Sequence, residues 1–189
     1  VPRPRTIPDH DLLDAALVVV REAGPEALTF AAAAQRSGLA ASTIVQRFGS
    51  KAGLLQAALL RAWDLLDEQT DAAVAAAGPG PDGVVDMLVR LSGSYDAHDF
   101  ADQLRVLRED LRDPVLRERG QIWIARLGQE VERRLGPDAD GLGELVVAQW
   151  QGTLTVWSFT RPTPLADAVR TALTALLPRL TRAEEPGIR

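Results

Sequence analysis

The stretch that most constrains this chain is TFAAAAQRSGLAASTIVQRFGSK, residues 29–51. Thr29 suits a helix N-cap, because its hydroxyl can accept from an orphan N–H of the first turn. Phe30 to Ser37 is alanine-rich and strongly helix-forming. Gly38 supplies the left-handed residue that ends such a helix. Ala41 to Phe48 forms a second helix with Ile44 and Phe48 at i and i+4 on one apolar face. Gly49-Ser50 interrupts it, and Ser50 is placed to cap the helix that Lys51 begins. Two short helices around a glycine turn are the layout of a helix-turn-helix, a motif whose second helix enters the DNA major groove.

Helices this short cannot bury a core alone. A partner precedes them: Asp9 to Ala23 carries Leu12, Leu13, Ala16, Leu17 and Val20 at helical spacing, with Asp9 and Asp11 at the favourable end of the helix dipole. Before it, VPRPRTIP is an extended basic arm rather than a helix, since three of its eight residues are proline. After the motif, an apolar stripe from Leu54 to Leu66 predicts a long helix from Ser50 to about Ala77, stopped by GPGP. Further helices are expected at about 82–94, 100–111, 114–135, 140–159 and 164–177, with a corner at 95–99. Asp113-Pro114 is a cap followed by a first-turn proline. No segment alternates like a strand, so the fold class is all-α with about nine helices.

Charge is unevenly spread. Residues 1–61 hold seven basic and five acidic side chains, and the remainder 14 basic and 21 acidic, for a net charge of −5. A basic head on an acidic body fits nucleic-acid contact by the head alone. Arginine outnumbers lysine 20 to 1, and the single lysine is Lys51. The absence of cysteine excludes disulfides and thiolate metal sites. No run approaches the roughly 18 apolar residues of a membrane span. The opening residues lack a charged-then-apolar leader pattern. A cytoplasmic location without a membrane partner is expected.

The order of three short helices, a long connector and a larger helical body resembles the TetR family of transcriptional repressors. EAGPEALTFAAAAQRSGLAASTIVQRFGSKAGLLQAAL carries the resemblance, with Gly38, Thr43, Ile44, Phe48, Gly49-Ser50-Lys51 and Leu54-Leu55 where the family pattern puts them. It implies a DNA-binding head at 1–50, including the arm at 1–8, and an effector-binding and dimerisation body at 51–189. It further implies phosphate contacts by Thr29, Thr43, Gln46, Arg47 and Lys51. Thr43, Gln46 and Arg47 share a face at i, i+3 and i+4, and Lys51 opens a helix whose N–H groups can join its cation on a phosphate. The base-reading positions depart from the family: Ala31, Ala41, Ser42 and Val45 stand there, and only Ser42 can hydrogen-bond. Alanine and valine can touch a thymine methyl but lack the bidentate readout worth roughly 1–3 kcal/mol per base. Arg3 and Arg5 in a minor groove, together with DNA shape, are expected to compensate.

For the body, the resemblance implies a homodimer through the last two helices, with Trp150, Thr153, Leu154 and Trp157 on one and Ala168, Val169, Ala172 and Leu176 on the other. It places the pocket for an unknown small-molecule effector among the middle helices, with Met87, Leu91, Phe100, Leu104, Leu107, Trp123, Leu127 and Trp150 as candidate lining. No cofactor or metal is expected. Enzyme chemistry is missing: His10 and His98 are isolated, Ser92, Ser94 and Ser158 have no nucleophile-elbow context, and GPGPDG is a turn rather than a phosphate cradle. The rival reading is a helical ligand-binding or protein-interaction module with weak or vestigial DNA binding.

Overall fold

The computed structural model describes residues 7–93, 97–161 and 163–181, with nine α-helices and no strand among them. The chain forms two compact units. The first comprises the chain up to Leu66 together with Ala101–Gly120, and the second comprises Asp67–Phe100 with Gln121 onward.

The first unit is built on α1 (Asp9–Ala23), a 3-10 turn (Pro25–Ala27), α2 (Phe30–Ser37), α3 (Ala41–Phe48) and the start of α4 (Lys51–Ala76). Gly24 ends α1 at φ 88° and Gly38 ends α2 in the left-handed region at φ 74°. Both are backbone conformations that a side chain would strain. Leu12, Ala16, Leu17 and Val20 of α1 meet Leu28, Ala33, Leu39, Ile44, Leu54, Ala58 and Leu59 in one core. Short helices thus gain from α1 the burial they lack alone, at roughly 1.5–3 kcal/mol per large side chain. Two later helices complete that core: Val106 of α6 (Ala97–Arg112) packs on it, and Leu116 of α7 (Pro114–Leu135) is buried in it.

The second unit holds α5 (Gly80–Leu91), α8 (Leu142–Thr160) and α9 (Leu165–Thr181), with the later parts of α4 and α7. α9 packs against both α5 and α8. Val84, Met87 and Leu88 of α5, Leu127 and Val131 of α7, Val146 of α8 and Val169 and Leu173 of α9 are fully buried. Arg134 is buried there as well, and its guanidinium accounts for its polarity. It donates to the carbonyls of Ala77 (2.9 Å), Gly78 and Val74 (2.6 Å), closing the C-terminal end of α4, and pairs with Glu130 at 2.7 Å.

The boundaries follow the expected caps with five differences, one being that α5 ends at Leu91 rather than at about 94. α5 begins at Gly80, inside the GPGP break, because prolines are tolerated in a first turn. α6 begins at Ala97, shortening the corner expected at 95–99. α8 begins at Leu142, after Gly141 at φ 77°. α9 continues past Pro178 to Thr181.

Helices α7 and α8 meet at glycine. A Cβ on Gly143 would lie inside the van der Waals envelope of the Gly128 carbonyl, whereas one on Gly128 would meet its nearest neighbour, Glu144 N, at 3.5 Å. Gly143→Ala should therefore cost about 1–3 kcal/mol in urea unfolding, the usual range for overpacking. Gly128→Ala, at the same crossing, should be neutral or stabilising by up to about 1 kcal/mol through helix propensity. Equal destabilisation by the two would contradict this packing.

Candidate nucleic-acid interface

The helix-turn-helix is held by local hydrogen bonds that its sequence encodes. Thr29 Oγ1 accepts from Ala32 N at 3.0 Å, capping α2. Ser37 Oγ accepts from Leu39 N at 3.3 Å across the turn, and Leu39 is buried. Ser50 Oγ accepts from Gly53 N at 3.0 Å, capping α4. On α3, Ile44 is fully buried and Phe48 packs against the core. Helical geometry then turns Ser42, Val45 and Gln46 outward, and all three are exposed. Thr43 and Arg47, expected at the centre of this face, are half-buried at its edge. Ala31 is exposed on α2 and Ala41 half-buried at the start of α3.

The two cations expected on phosphates, Arg47 and Lys51, are engaged within the first unit. Arg47 Nη1 donates to the Ile7 carbonyl at 3.0 Å and to Asp9 Oδ1 at 2.8 Å. Lys51 Nζ donates to the Glu26 carbonyl at 2.7 Å. The Glu26 carboxylate receives Arg105 Nη2 at 3.2 Å, with Arg108 Nη1 at 3.9 Å. Its own backbone N–H, then Arg105 and Arg108, hold that carboxyl below the usual range. Arg105 also donates to the Ala23 carbonyl at the end of α1, and its guanidinium lies directly over Gly24, where a Cβ would collide with it. Sequence reasoning missed Asp9, Glu26 and Arg105 as partners of the motif. The partners stand 38 positions apart in the Arg47–Asp9 pair and 79 in the Arg105–Glu26 pair, and no local pattern links them. Arg36 pairs with Glu22.

Among the described residues of this unit, one carboxyl is buried without a cation beside it. Asp110 of α6 is 9% exposed and accepts from Trp63 Nε1 at 3.2 Å. Burial pushes its pKa up to about 6, with the charges of Asp113 and Glu109 adding to the rise and the indole N–H opposing it. Asp113 is tied down by Gln56 Nε2 at 2.7 Å and by its cap bonds to Val115 N and Leu116 N, which hold it ionised.

In the second unit the expected lining residues divide. Met87, Leu91, Trp123, Leu127 and Trp150 are buried core. Trp123 and Trp150 lie against each other with ring centroids 6.3 Å apart, and their indole N–H groups are bonded to Thr70 Oγ1 (3.0 Å) and Ser92 Oγ (2.9 Å). Leu104 and Leu107 are corrected: they belong to the first unit and are about half-exposed. A surface hollow of about 240 Å³ is lined by Thr70, Val74, Arg126, Leu127, Glu130 and Arg133 among others, and includes only Leu127 of the expected set. The side chain of Phe100, and Arg3 and Arg5, lie outside the described residues.

The expected dimer residues divide as well. Trp150, Leu154, Trp157 and Val169 are buried in their own subunit, and Trp157 Nε1 is bonded to the Thr163 carbonyl at 2.8 Å. Thr153, Ala168, Ala172 and Leu176 are half-buried. The face of α8 that remains open carries Leu145 (56% exposed), Val156 (61%) and Phe159 (85%). Both stripes have helical spacing, and α8 is apolar around most of its circumference, so periodicity could not choose between them.

An all-α chain whose first unit presents a capped helix-turn-helix has the architecture of a helical transcription regulator. Comparison with known proteins agrees. Residues 12–58 match the family model of bacterial regulatory proteins, tetR family. The repressor KstR of Mycolicibacterium smegmatis is 39% identical over 67 residues, a match spanning 35% of this chain and 33% of that protein. A transcriptional regulator from Rhodococcus sp. Rha1 shares the fold with a TM-score of 0.73 at 17% identity, covering 92% of this chain and 97% of its own. The regulator FadR from Bacillus subtilis, solved in complex with stearoyl-CoA, aligns with a TM-score of 0.63 at 18% identity, covering 88% and 96%. The head at residues 12–58 thus matches the tetR family, and the chain as a whole shares the fold of these solved regulators.

Asp110 makes a pH prediction. Its folded-state pKa of about 6 lies above the ordinary 3.8, so the stabilisation gained by its proton is complete below that lower value and lost as pH rises through about 6. At neutral pH the ionised, buried form costs roughly 2–3 kcal/mol. Asp110→Asn, which still accepts from Trp63, should raise Tm at pH 7.5 by about 5 °C and leave it unchanged near pH 4. A pH-independent offset in thermal melts would contradict this.

Proposed function

We propose that the protein is a homodimeric, operator-binding transcription regulator, a repressor by kinship with KstR, acting in the cytoplasm and released from DNA by a small-molecule effector. The observation that supports it best is the outward face of α3. Ile44 anchors that helix in the core, and Ser42, Val45 and Gln46 stand clear of it. In this reading α3 enters the major groove, Ser42 and the Val45 methyls meet base edges, and Thr29, Thr43, Gln46, Arg47 and Lys51 contact the backbone. The head is residues 1–50, with Arg3 and Arg5 adding minor-groove contacts, and 51–189 serves dimer and effector.

A two-fold dimer suits a palindromic operator, since paired heads would read half-sites roughly 34–36 Å apart. The surface that would pair is the Leu145, Val156 and Phe159 face of α8, an apolar stripe of the kind that monomers rarely leave open. An effector would have to part Trp123 from Trp150 or enlarge the hollow beside Leu127, and bind the DNA-incompetent state more tightly than the other. FadR's acyl-CoA complex is a precedent for effectors in this fold, without assigning one here.

A second reading, a helical ligand-binding module with weak DNA binding, draws support from the engagement of Arg47 and Lys51 by internal acceptors and from Ala41 and Val45 on α3. Salt titration separates the two. A DNA-binding regulator should give a log–log slope of about −0.9 per phosphate neutralised, and Lys51→Ala should reduce that slope by about one per protomer. Binding that does not respond to salt would favour the second reading. For the dimer, Val156→Glu with Phe159→Glu should halve the mass in light scattering while keeping the helical circular dichroism. An unchanged mass would place the pairing surface elsewhere.

A further inference from the structure

Helix α6 leaves one apolar stripe uncovered. Leu104 (50% exposed), Leu107 (46%) and Leu111 (59%) stand at i, i+3 and i+7, so they line up along one side of the helix. The inward side is committed to the first unit: Val106 packs on its core, and Asp110 is buried under Trp63. At about 100° per residue, Arg108, Arg112 and Arg105 follow in succession on one flank of the stripe, while the other exposed flank carries Gln103. Arg117 of α7, also exposed, adds a cation where the stripe ends, donating to the Leu111 carbonyl at 3.4 Å. Single exposed leucines are ordinary on a protein surface. An aligned row of them, on a helix whose inward side is already fixed, is the kind of patch that marks an interaction site.

Charge along the rim decides what can cover the stripe. Arg105 holds the Glu26 carboxylate at 3.2 Å, and Arg108 stands 3.9 Å from the same group, the looser of the two pairs. A second copy of α6 suits this rim poorly. In an antiparallel pairing the arginine flank meets its own copy, and in a parallel one it meets Gln103, so neither brings a carboxylate to Arg108 or Arg112. We infer that the α6 stripe docks an amphipathic helix of a protein partner, with apolar side chains at i, i+3 and i+7 and carboxylates along the edge that meets Arg108 and Arg112. Desolvation of Leu104, Leu107 and Leu111 supplies the affinity, and the ion pairs set direction and reject basic partners. The seat lies on the unit that carries the helix-turn-helix. Arg105 and Arg108 converge on Glu26, whose carbonyl receives Lys51, so a partner carboxylate that draws Arg108 away acts on the residue holding the start of α4. Docking itself needs no DNA, so it stands or falls apart from the function proposed above.

Fluorescence anisotropy of two labelled helical peptides tests this on the full chain. Both peptides carry leucines at i, i+3 and i+7; one has glutamates along a flank of that row and the other has lysines. The glutamate peptide should bind with a Kd of about 10 μM, and the lysine peptide about tenfold more weakly or worse. Leu107→Ser with Leu111→Ser should weaken the glutamate peptide by about tenfold. Arg108→Glu with Arg112→Glu should reverse the preference between the peptides. Both arginines are exposed, and this variant carries the test if the serine variant fails to fold. Equal affinity for the two peptides, no binding up to about 1 mM, or binding untouched by the α6 substitutions would overturn the proposal. A halving of the mass in light scattering by Leu107→Ser with Leu111→Ser would overturn it too, since a second copy of the chain would then be what covers the stripe.

Discussion

The contact on which the first unit depends is the burial of Ile44. α3 has eight residues, too few to be stable as an isolated helix, and its persistence rests on tertiary packing. Ile44 has no exposed surface, and it enters a core made by α1, Leu28, Ala33 and the start of α4. That single insertion also orients the helix. With about 100° between successive residues, placing Ile44 inward requires Ser42, Val45 and Gln46 to face out. The surface available to DNA is thus a consequence of which side chain the core accepts. A change that rotated Ile44 by one position would alter every candidate contact at once.

A second layer of order lies around that peg. Lys51 and Arg47, the cations at the end of the motif, both donate to main-chain carbonyls within the same unit, of Glu26 and Ile7. Long cationic side chains lose rotamer entropy when they are fixed on a phosphate. Here part of that loss is already incurred on folding. The same bonds compete with DNA for the donors, so pre-organisation and competition are two effects of one arrangement. Exposed pairs such as Arg105 with Glu26 contribute little stability individually. Their effect is geometric: Glu26 offers its carbonyl to Lys51 and its carboxylate to Arg105, so one residue of the turn after α1 ties the start of α4 to α6.

What could be read in the sequence was local. Thr29, Ser50 and Asp113 cap the helices that their positions announced, and Gly38 takes the left-handed conformation expected of it. These depend on interactions within four residues, and the residue types state them openly. The choice of face on α8 was not readable. Val146, Trp150, Leu154 and Trp157 and the alternative Leu145, Val156 and Phe159 are both apolar at helical spacing, and tryptophan suggests an interface as readily as a core. Packing against α9 decided it, since the indoles had acceptors inside the subunit, in Ser92 and the Thr163 carbonyl. Asp110 was equally hidden. In sequence it belongs to a charge-rich run that reads as a solvated surface, and only the fold places it under Trp63.

The outer face of α3 constrains how such a head can discriminate among sequences. Ser42 and Gln46 are its exposed polar side chains, with Val45 between them and Ala41 at the rim. A bidentate arginine or asparagine on a base edge contributes roughly 1–3 kcal/mol, and α3 presents neither outward. Gln46 is the exception in chemistry, being able to pair with adenine, but one such contact per half-site falls well short of the roughly 4–10 kcal/mol that separates specific from non-specific binding. The symmetry of the proposed dimer would double each contact without adding a new kind. In the proposed dimer the remainder would come from terms that do not need α3 to read bases: the spacing of two heads, the deformability of the DNA between them, and arginines outside the motif.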